Sequence, residues 1–259
     1  MNTTSKGAAH TSNLEGKVAV VTGSTRGIGA AITEALAAAG AAVLAHGTQA
    51  SEVTARVDEW SARGWKAAGS TANLEDPGAV GELRRCVESQ LGRPDILVLN
   101  ASVEIIQSWN EVTREAMQRQ SSINVHASIE LIQAFLPAMI ERRWGRILAV
   151  GSVQEERPNA SHLFYAATKL AQTGIVLNLA RHEGHPGVTF NVIRPGAILT
   201  DRNRTKLADP SVEASLLHRI PAGRIGMPQD CAAAALLLCS DAGSYINGAV
   251  LAIDGGLRL

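Results

Sequence analysis

The chain has 259 residues, 46% of them hydrophobic and 19% charged, which is enough apolar material for one large globular domain with a substantial core. Its 24 Lys and Arg balance its 24 Asp and Glu, so no basic excess points to nucleic acid or an anionic membrane surface as partner. No apolar run reaches the ~18 residues that span a bilayer, and Cys86, Cys231 and Cys239 lack the pair spacing of a metal site. The expectation is a reducing, cytoplasmic setting with no metal, no membrane and no nucleic acid.

Residues 1–13 are small and polar without the apolar stretch of a secretory signal, and are expected to form a mobile tail ahead of a domain at 14–259. Residues 17–22 predict a strand and 27–39 an alanine-rich helix. Between them lie Gly23, Ser24, Thr25, Arg26, Gly27, Ile28 and Gly29. Glycines there permit a tight turn, close approach of the backbone to a pyrophosphate and close helix–strand packing. The helix N-terminus adds free N–H groups and a positive dipole end for the phosphates.

Residues 42–46 predict the second strand, which delivers His46, Gly47 and Thr48. Dinucleotide sites that prefer NAD place an acid there for the ribose hydroxyls. With none present, nothing at this strand end repels a 2′-phosphate, and Arg26 and Thr48 can donate to one, so NADP(H) is favoured over NAD(H). A helix at 51–63, a weaker strand at 65–70 and a helix at 77–91 follow, with Pro77 at a tolerated first-turn position. The strand at 95–99 runs into Asn100, Ala101 and Ser102, and long helical segments cover 111–143.

The second half repeats the alternation: strand 146–150, helix 162–181, strand 188–193, helix 228–239 and strand 249–253. Seven strands, apolar at nearly every position and separated by helices, predict a single α/β domain. Its parallel sheet is doubly wound, with helices on both faces. Ser152 follows the fifth strand. Tyr165 and Lys169 stand four apart on the following helix, which stacks a phenol and an ammonium on one face. A nearby cation favours phenolate and brings the tyrosine toward a working acid–base range.

The spacing of Gly23, Gly27 and Gly29 resembles the short-chain dehydrogenase/reductase family, and the resemblance extends over about residues 15–259. Asn100-Ala-Ser102, Asn124, Ser152, Tyr165 and Lys169, the turn of Pro195 and Gly196 with Ile198 and Thr200, and the C-terminal strand match its motifs in order. The resemblance implies a Rossmann fold and a small-molecule carbonyl or alcohol substrate. It also implies these roles: Tyr165 as the acid–base, Lys169 lowering its pKa and holding the nicotinamide ribose, Ser152 bonding the carbonyl oxygen and Asn124 anchoring a water that links Lys169 to solvent. Asn100 and residues 198–200 would border the cofactor. Asn73, beside Leu74, stands where the family often carries an Asp against adenine.

Three segments are expected to rim the substrate: 102–109, 153–162 and a mobile lid at 201–219. Their Glu104, Gln107, Gln154, Glu155, Glu156, Arg157, Arg202, Arg204 and Lys206 lean toward a polar or anionic substrate; His162 reads as a surface residue at a helix start. Resemblance to 3-oxoacyl carrier-protein reductases makes a 3-oxoacyl thioester one reading, with Arg142 and Arg143 as a partial carrier surface and His185-Pro186 in the other expected basic place. Sugar, polyol or hydroxy-acid dehydrogenases are the alternative, and a non-catalytic dinucleotide sensor is a third. Ile129, Ile132 and Leu136 mark a repeating apolar face, and the family implies pairing of the helices in 111–143 and 162–181 within a homotetramer.

Overall fold

The computed structural model describes residues 12–157, 159–182 and 186–259, without the side chains of 205 and 206. The expectations for the tail to residue 11, for His185 and for the Lys206 side chain therefore lie outside the described residues.

Seven parallel strands form one sheet in the order β3-β2-β1-β4-β5-β6-β7. They are β1 (Val18–Val21), β2 (Ala42–Gly47), β3 (Ala67–Thr71), β4 (Ile96–Leu99), β5 (Gly145–Val150), β6 (Val188–Pro195) and β7 (Val250–Ile253). Alternate residues feed two separate cores. Val18, Val20, Leu97 and Leu99 point to one face, where Leu83 and Val87 of α3 (Ala79–Gln90) and Phe135 and Met139 of α5 (Ala127–Arg142) cover them, beside Val176 of α6 (Leu163–His182). Ala19, Val21, Ile96 and Val98 point to the other. There Ile32 and Leu36 of α1 (Gly27–Ala38), Trp60 of α2 (Ala50–Ala62) and Leu238 of α9 (Pro228–Cys239) close the layer.

The helical stretch expected at 111–143 begins later, because Thr113 caps α4 (Arg114–Ser121) by accepting the Ala116 N–H. A π turn, Ser122–His126, joins α4 to α5, so that Arg114–Arg142 is one continuous helix. By length and composition that helix is long and apolar enough to cross a membrane, although no unbroken apolar run in the sequence is that long. Its Leu131, Ile132, Phe135, Leu136 and Met139 are instead buried on the sheet. Ile132 and Leu136 thus serve this chain's own core, and of the expected face only Ile129 is exposed. β6 extends two residues past the expected 193 and carries Pro195 to the strand ends. Residues 201–219 contain two short helices, α7 (Asp201–Leu207) and α8 (Pro210–Leu217).

The strand order reverses between β1 and β4. In such a sheet, the crevice at the carboxyl ends of the strands beside this switch is where ligands are accommodated.

Candidate active site

A cavity of about 1000 Å³ opens at that switch point. Of the residues singled out from the sequence, Gly23, Thr25, Arg26, Gly27, Ile28, Gly29, His46, Gly47, Thr48, Asn73, Leu74, Asn100, Ala101 and Ser102 line it. So do Ser152, Tyr165, Lys169, Pro195, Gly196, Ile198 and Thr200. Ser24 and Asn124 do not.

The glycine turn is shaped for a close ligand. Gly23 has φ 66°, which favours glycine, and a Cβ on Gly29 would lie 2.3 Å from the Gly23 carbonyl oxygen. Helix α1 starts with no side-chain cap at Arg26 and no acid in its first turn, which leaves its leading N–H groups for an anion. Asn100 Nδ2 donates to Thr22 O at 2.8 Å and Gly23 O at 3.0 Å, fixing the turn from β4. The cradle thus fits a dinucleotide pyrophosphate.

Ser24 is fully buried: its Oγ donates to Leu44 O and accepts the His46 N–H at 2.8 Å, so its side chain staples the turn to β2. Burial pushes His46 down to about 4. The neutral ring accepts the Gly23 N–H through Nδ1 at 3.0 Å, which puts its proton on Nε2, a buried atom without a partner among the described residues.

The 2′-ribose corner differs from expectation. No acid ends β2, but Glu52 from the first turn of α2 lines the same corner. It accepts from Thr25 Oγ1 at 3.1 Å and pairs with Arg26 at 3.5 Å. Glu52 stands on the helix after β2 and not at the strand end, where the sequence pattern places such an acid. Asn73 is also committed: Oδ1 accepts the Glu75 N–H at 3.2 Å and Nδ2 faces Asp76 at 3.3 Å, so the oxygen expected to meet adenine is already used in a local turn.

The end of β5 supplies Ser152 and α6 supplies Tyr165 and Lys169, both buried. The side chains of Ser152 and Ser102 bear on the Tyr165 hydroxyl and favour its ionised form. Burial pushes its pKa up to about 12, with the Glu104 carboxylate adding to the rise and Arg202 opposing it. Lys169 Nζ donates to Val150 O at 2.8 Å and Gln172 Oε1 at 3.0 Å, and burial pulls it down to about 7 against the field of Glu155. Without cofactor, the tyrosine is a neutral phenol, in the protonation state of an acid.

Asn124 sits in the π turn with its amide spent. Oδ1 accepts the Val103 N–H, and Nδ2 donates to Val103 O and Thr168 Oγ1, each at 2.9 Å. Its side chain braces the loop after β4.

Beyond Tyr165 the cavity wall is polar. Glu104 Oε1 lies 3.1 Å from His162 Nε2, and Oε2 lies 3.5 Å from Arg202, whose other nitrogen donates to Ser102 O at 3.0 Å. Arg202 thereby bridges α7 to the loop after β4. His162 is buried in this wall, not at the surface as its position suggested. Gln154, Arg157, Asn159, Asn203 and Arg219 join it. Four expected rim residues are elsewhere: Glu155 is wholly buried against Arg194, Glu156 pairs with Arg194 and Arg258, Arg204 pairs with Asp201, and Gln107 does not line the cavity.

Residues 23–258 match the family described as enoyl-(acyl carrier protein) reductase. The chain is 37% identical to the 3-oxoacyl-[acyl-carrier-protein] reductase of Escherichia coli (strain K12), over 95% of its own length and 99% of that protein's. It is 36% identical to a 3-oxoacyl (acyl-carrier-protein) reductase of Agrobacterium tumefaciens C58 solved with NADP bound, with a TM-score of 0.90 covering 95% of each chain. A gluconate 5-dehydrogenase of Burkholderia cenocepacia J2315, solved with NADP and tartrate, is 29% identical with a TM-score of 0.90, covering 95% of this chain and 96% of that one.

Proposed function

The chain belongs to the short-chain dehydrogenase/reductase family, and from that premise we propose that Tyr165, Ser152 and Lys169 carry out its chemistry. It is an NAD(P)-dependent oxidoreductase that interconverts a ketone and a secondary alcohol. The bound nicotinamide supplies hydride transfer. Tyr165 gives its proton to the carbonyl oxygen, or takes one from the alcohol in reverse, while Ser152 donates to the same oxygen and steadies its developing charge. Lys169 holds the nicotinamide ribose, and the glycine turn and α1 hold the pyrophosphate. The buried Tyr165, which lines the cavity together with Ser152 and Lys169, carries this reading. Retention of both Tyr165 and Lys169 sets it above a non-catalytic dinucleotide sensor.

NADP(H) is the proposed cofactor, with Arg26 and Thr48 meeting the 2′-phosphate. Glu52 tempers that preference, because it competes for Arg26 and adds negative charge at the corner. The solved relatives with NADP bound support the same choice.

For the substrate, the cavity wall favours a small, oxygen-rich, acidic molecule such as a sugar acid or hydroxy acid. Arg157, Arg202 and Arg219 offer cations for its carboxylate, while Glu104 and His162 bond hydroxyls. Burying that wall under an acyl chain would leave charges without partners. A 3-oxoacyl thioester is the second reading, favoured by the 37% identity to a 3-oxoacyl-[acyl-carrier-protein] reductase. Arg142 lends it little, being tied to Pro94 O at 2.7 Å and Asp95 at 3.2 Å before the start of β5, at the opposite end of the sheet from the cavity. Turnover of NADPH or NADP with acetoacetyl thioester and a panel of keto and hydroxy sugar acids tests this. A preference for the thioester by kcat/KM would overturn the sugar-acid reading.

Residues 201–219 are proposed as a substrate lid, with Arg202 as its contact to the opposite wall. A homotetramer in the cytoplasm completes the proposal. Exposed Leu163 and Leu170 on α6, with Tyr245, Leu251 and Leu259 around β7, give two apolar surfaces for subunit contact, and the free thiols of Cys86, Cys231 and Cys239 suit a reducing compartment. Light scattering that gives the mass of one chain would contradict the assembly.

A further inference from the structure

Lys169 is one of the largest fully buried side chains of the protein. Burial opposes its charge, and its two acceptors among the described residues are neutral, Val150 O and Gln172 Oε1. The second of these belongs to a buried polar chain running from α6 to the π turn. Gln172 Nε2 donates to Ser128 Oγ at 2.8 Å, and Ser128 Oγ donates to Asn124 O at 3.0 Å. Gln172, Ser128 and Asn124 are all buried, and the core beside them holds the apolar side chains of Leu131 and Val176.

The direction of each bond is fixed by what a hydroxyl can do. Ser128 Oγ has one proton, and it goes to Asn124 O; toward Gln172 it can only accept. The Gln172 nitrogen must therefore face Ser128, which turns its oxygen to Lys169. An amide does not titrate, so this acceptor is present at every working pH. A hydrogen bond to an ammonium is stronger than one between neutral groups, and burial strengthens it further.

We propose that Gln172, oriented by Ser128, is a positioning residue that holds Lys169 in its charged form and fixes its ammonium at the cavity wall. The inference rests on the reading of Lys169 as part of the site, and adds a residue that touches neither substrate nor cofactor. The other charged or titratable groups bearing on Lys169 are Glu155 after β5, Glu104 after β4, Arg202 on α7 and Tyr165 one turn earlier on α6. None of these is ion-paired with it among the described residues, so the amide is the side chain that meets it directly.

The test is the titration of Lys169 in the cofactor-free protein, followed by NMR of its labelled Cε, beside the pH profile of kcat/KM. Gln172→Leu fills the same space without an acceptor and should lower the Lys169 midpoint by about one pH unit. Gln172→Glu should raise it, and Ser128→Ala, which lets the amide turn, should lower it less than Gln172→Leu. The alkaline fall of kcat/KM for carbonyl reduction should move in the same directions. Should Gln172→Leu not fold, the other two variants carry the test. A Lys169 midpoint equal to that of the unaltered protein in every folded variant overturns the proposal. Failure of the catalytic reading has a different signature: Tyr165→Phe would keep its turnover while the Lys169 midpoints still moved.

Discussion

Glu155 and Arg194 form an ion pair with 2.7 Å between Oε2 and the guanidinium, and the carboxylate is fully enclosed. Thr173 Oγ1 donates to the same Oε2 at 2.8 Å, and Oε1 accepts the Ser152 N–H at 2.8 Å, so the pair sets the turn that presents Ser152. Removing one member leaves a buried charge unpaired. Arg194→Met should cost about 3 kcal/mol in urea unfolding, and should lower kcat more than it raises KM because Ser152 loses its fixed turn. Unchanged stability would show that the pair adds nothing to the fold.

Arg26 and Glu52 make opposing demands at the ribose corner. Arg26→Ala should lower kcat/KM for NADPH about tenfold and leave that for NADH nearly unchanged. Glu52→Gln should raise the NADPH to NADH ratio about threefold, since the Arg26 pair is largely exposed and screened. A ratio that stays fixed in both variants would remove the two residues from cofactor choice.

Arg202 crosses from α7 to Glu104 and Ser102 O. Arg202→Ala should raise KM for carboxylated substrates about tenfold, with little change for neutral alcohols of the same length. Equal loss with both kinds of substrate would mean that Arg202 only braces α7.

His46 ties stability to pH. Its folded pKa of about 4 lies below the unfolded value of 6.5, so between those pH values the unfolded chain binds the extra proton and stability falls as pH drops. The loss approaches about 3 kcal/mol below pH 4. Unfolding free energies at neutral and acid pH, compared between the unaltered protein and His46→Thr, should show a smaller acid loss in the variant. Identical pH dependence would mean that the ring is not neutral in the folded state.

The sheet was legible in the sequence because each central strand is apolar on both faces and each helix is marked by its period, as β4 and α3 illustrate. The glycine turn and the Tyr165–Lys169 pair were legible for the same reason, since their geometry is local. What the sequence could not show depends on contacts made across the fold. Ser24 faces β2 instead of the cavity, Glu52 reaches the ribose corner from α2, and Glu155 turns inward to Arg194. The π turn at Asn124 and the bond from Gln172 to Ser128 join elements 44 residues apart, and no periodicity announces them.

The central claim is that Tyr165 moves the proton, and the direct measurement is kcat for Tyr165→Phe beside its NADPH affinity. Loss of the hydroxyl alone should leave NADPH binding unchanged and lower kcat about a thousandfold. Turnover close to that of the unaltered protein would contradict the account.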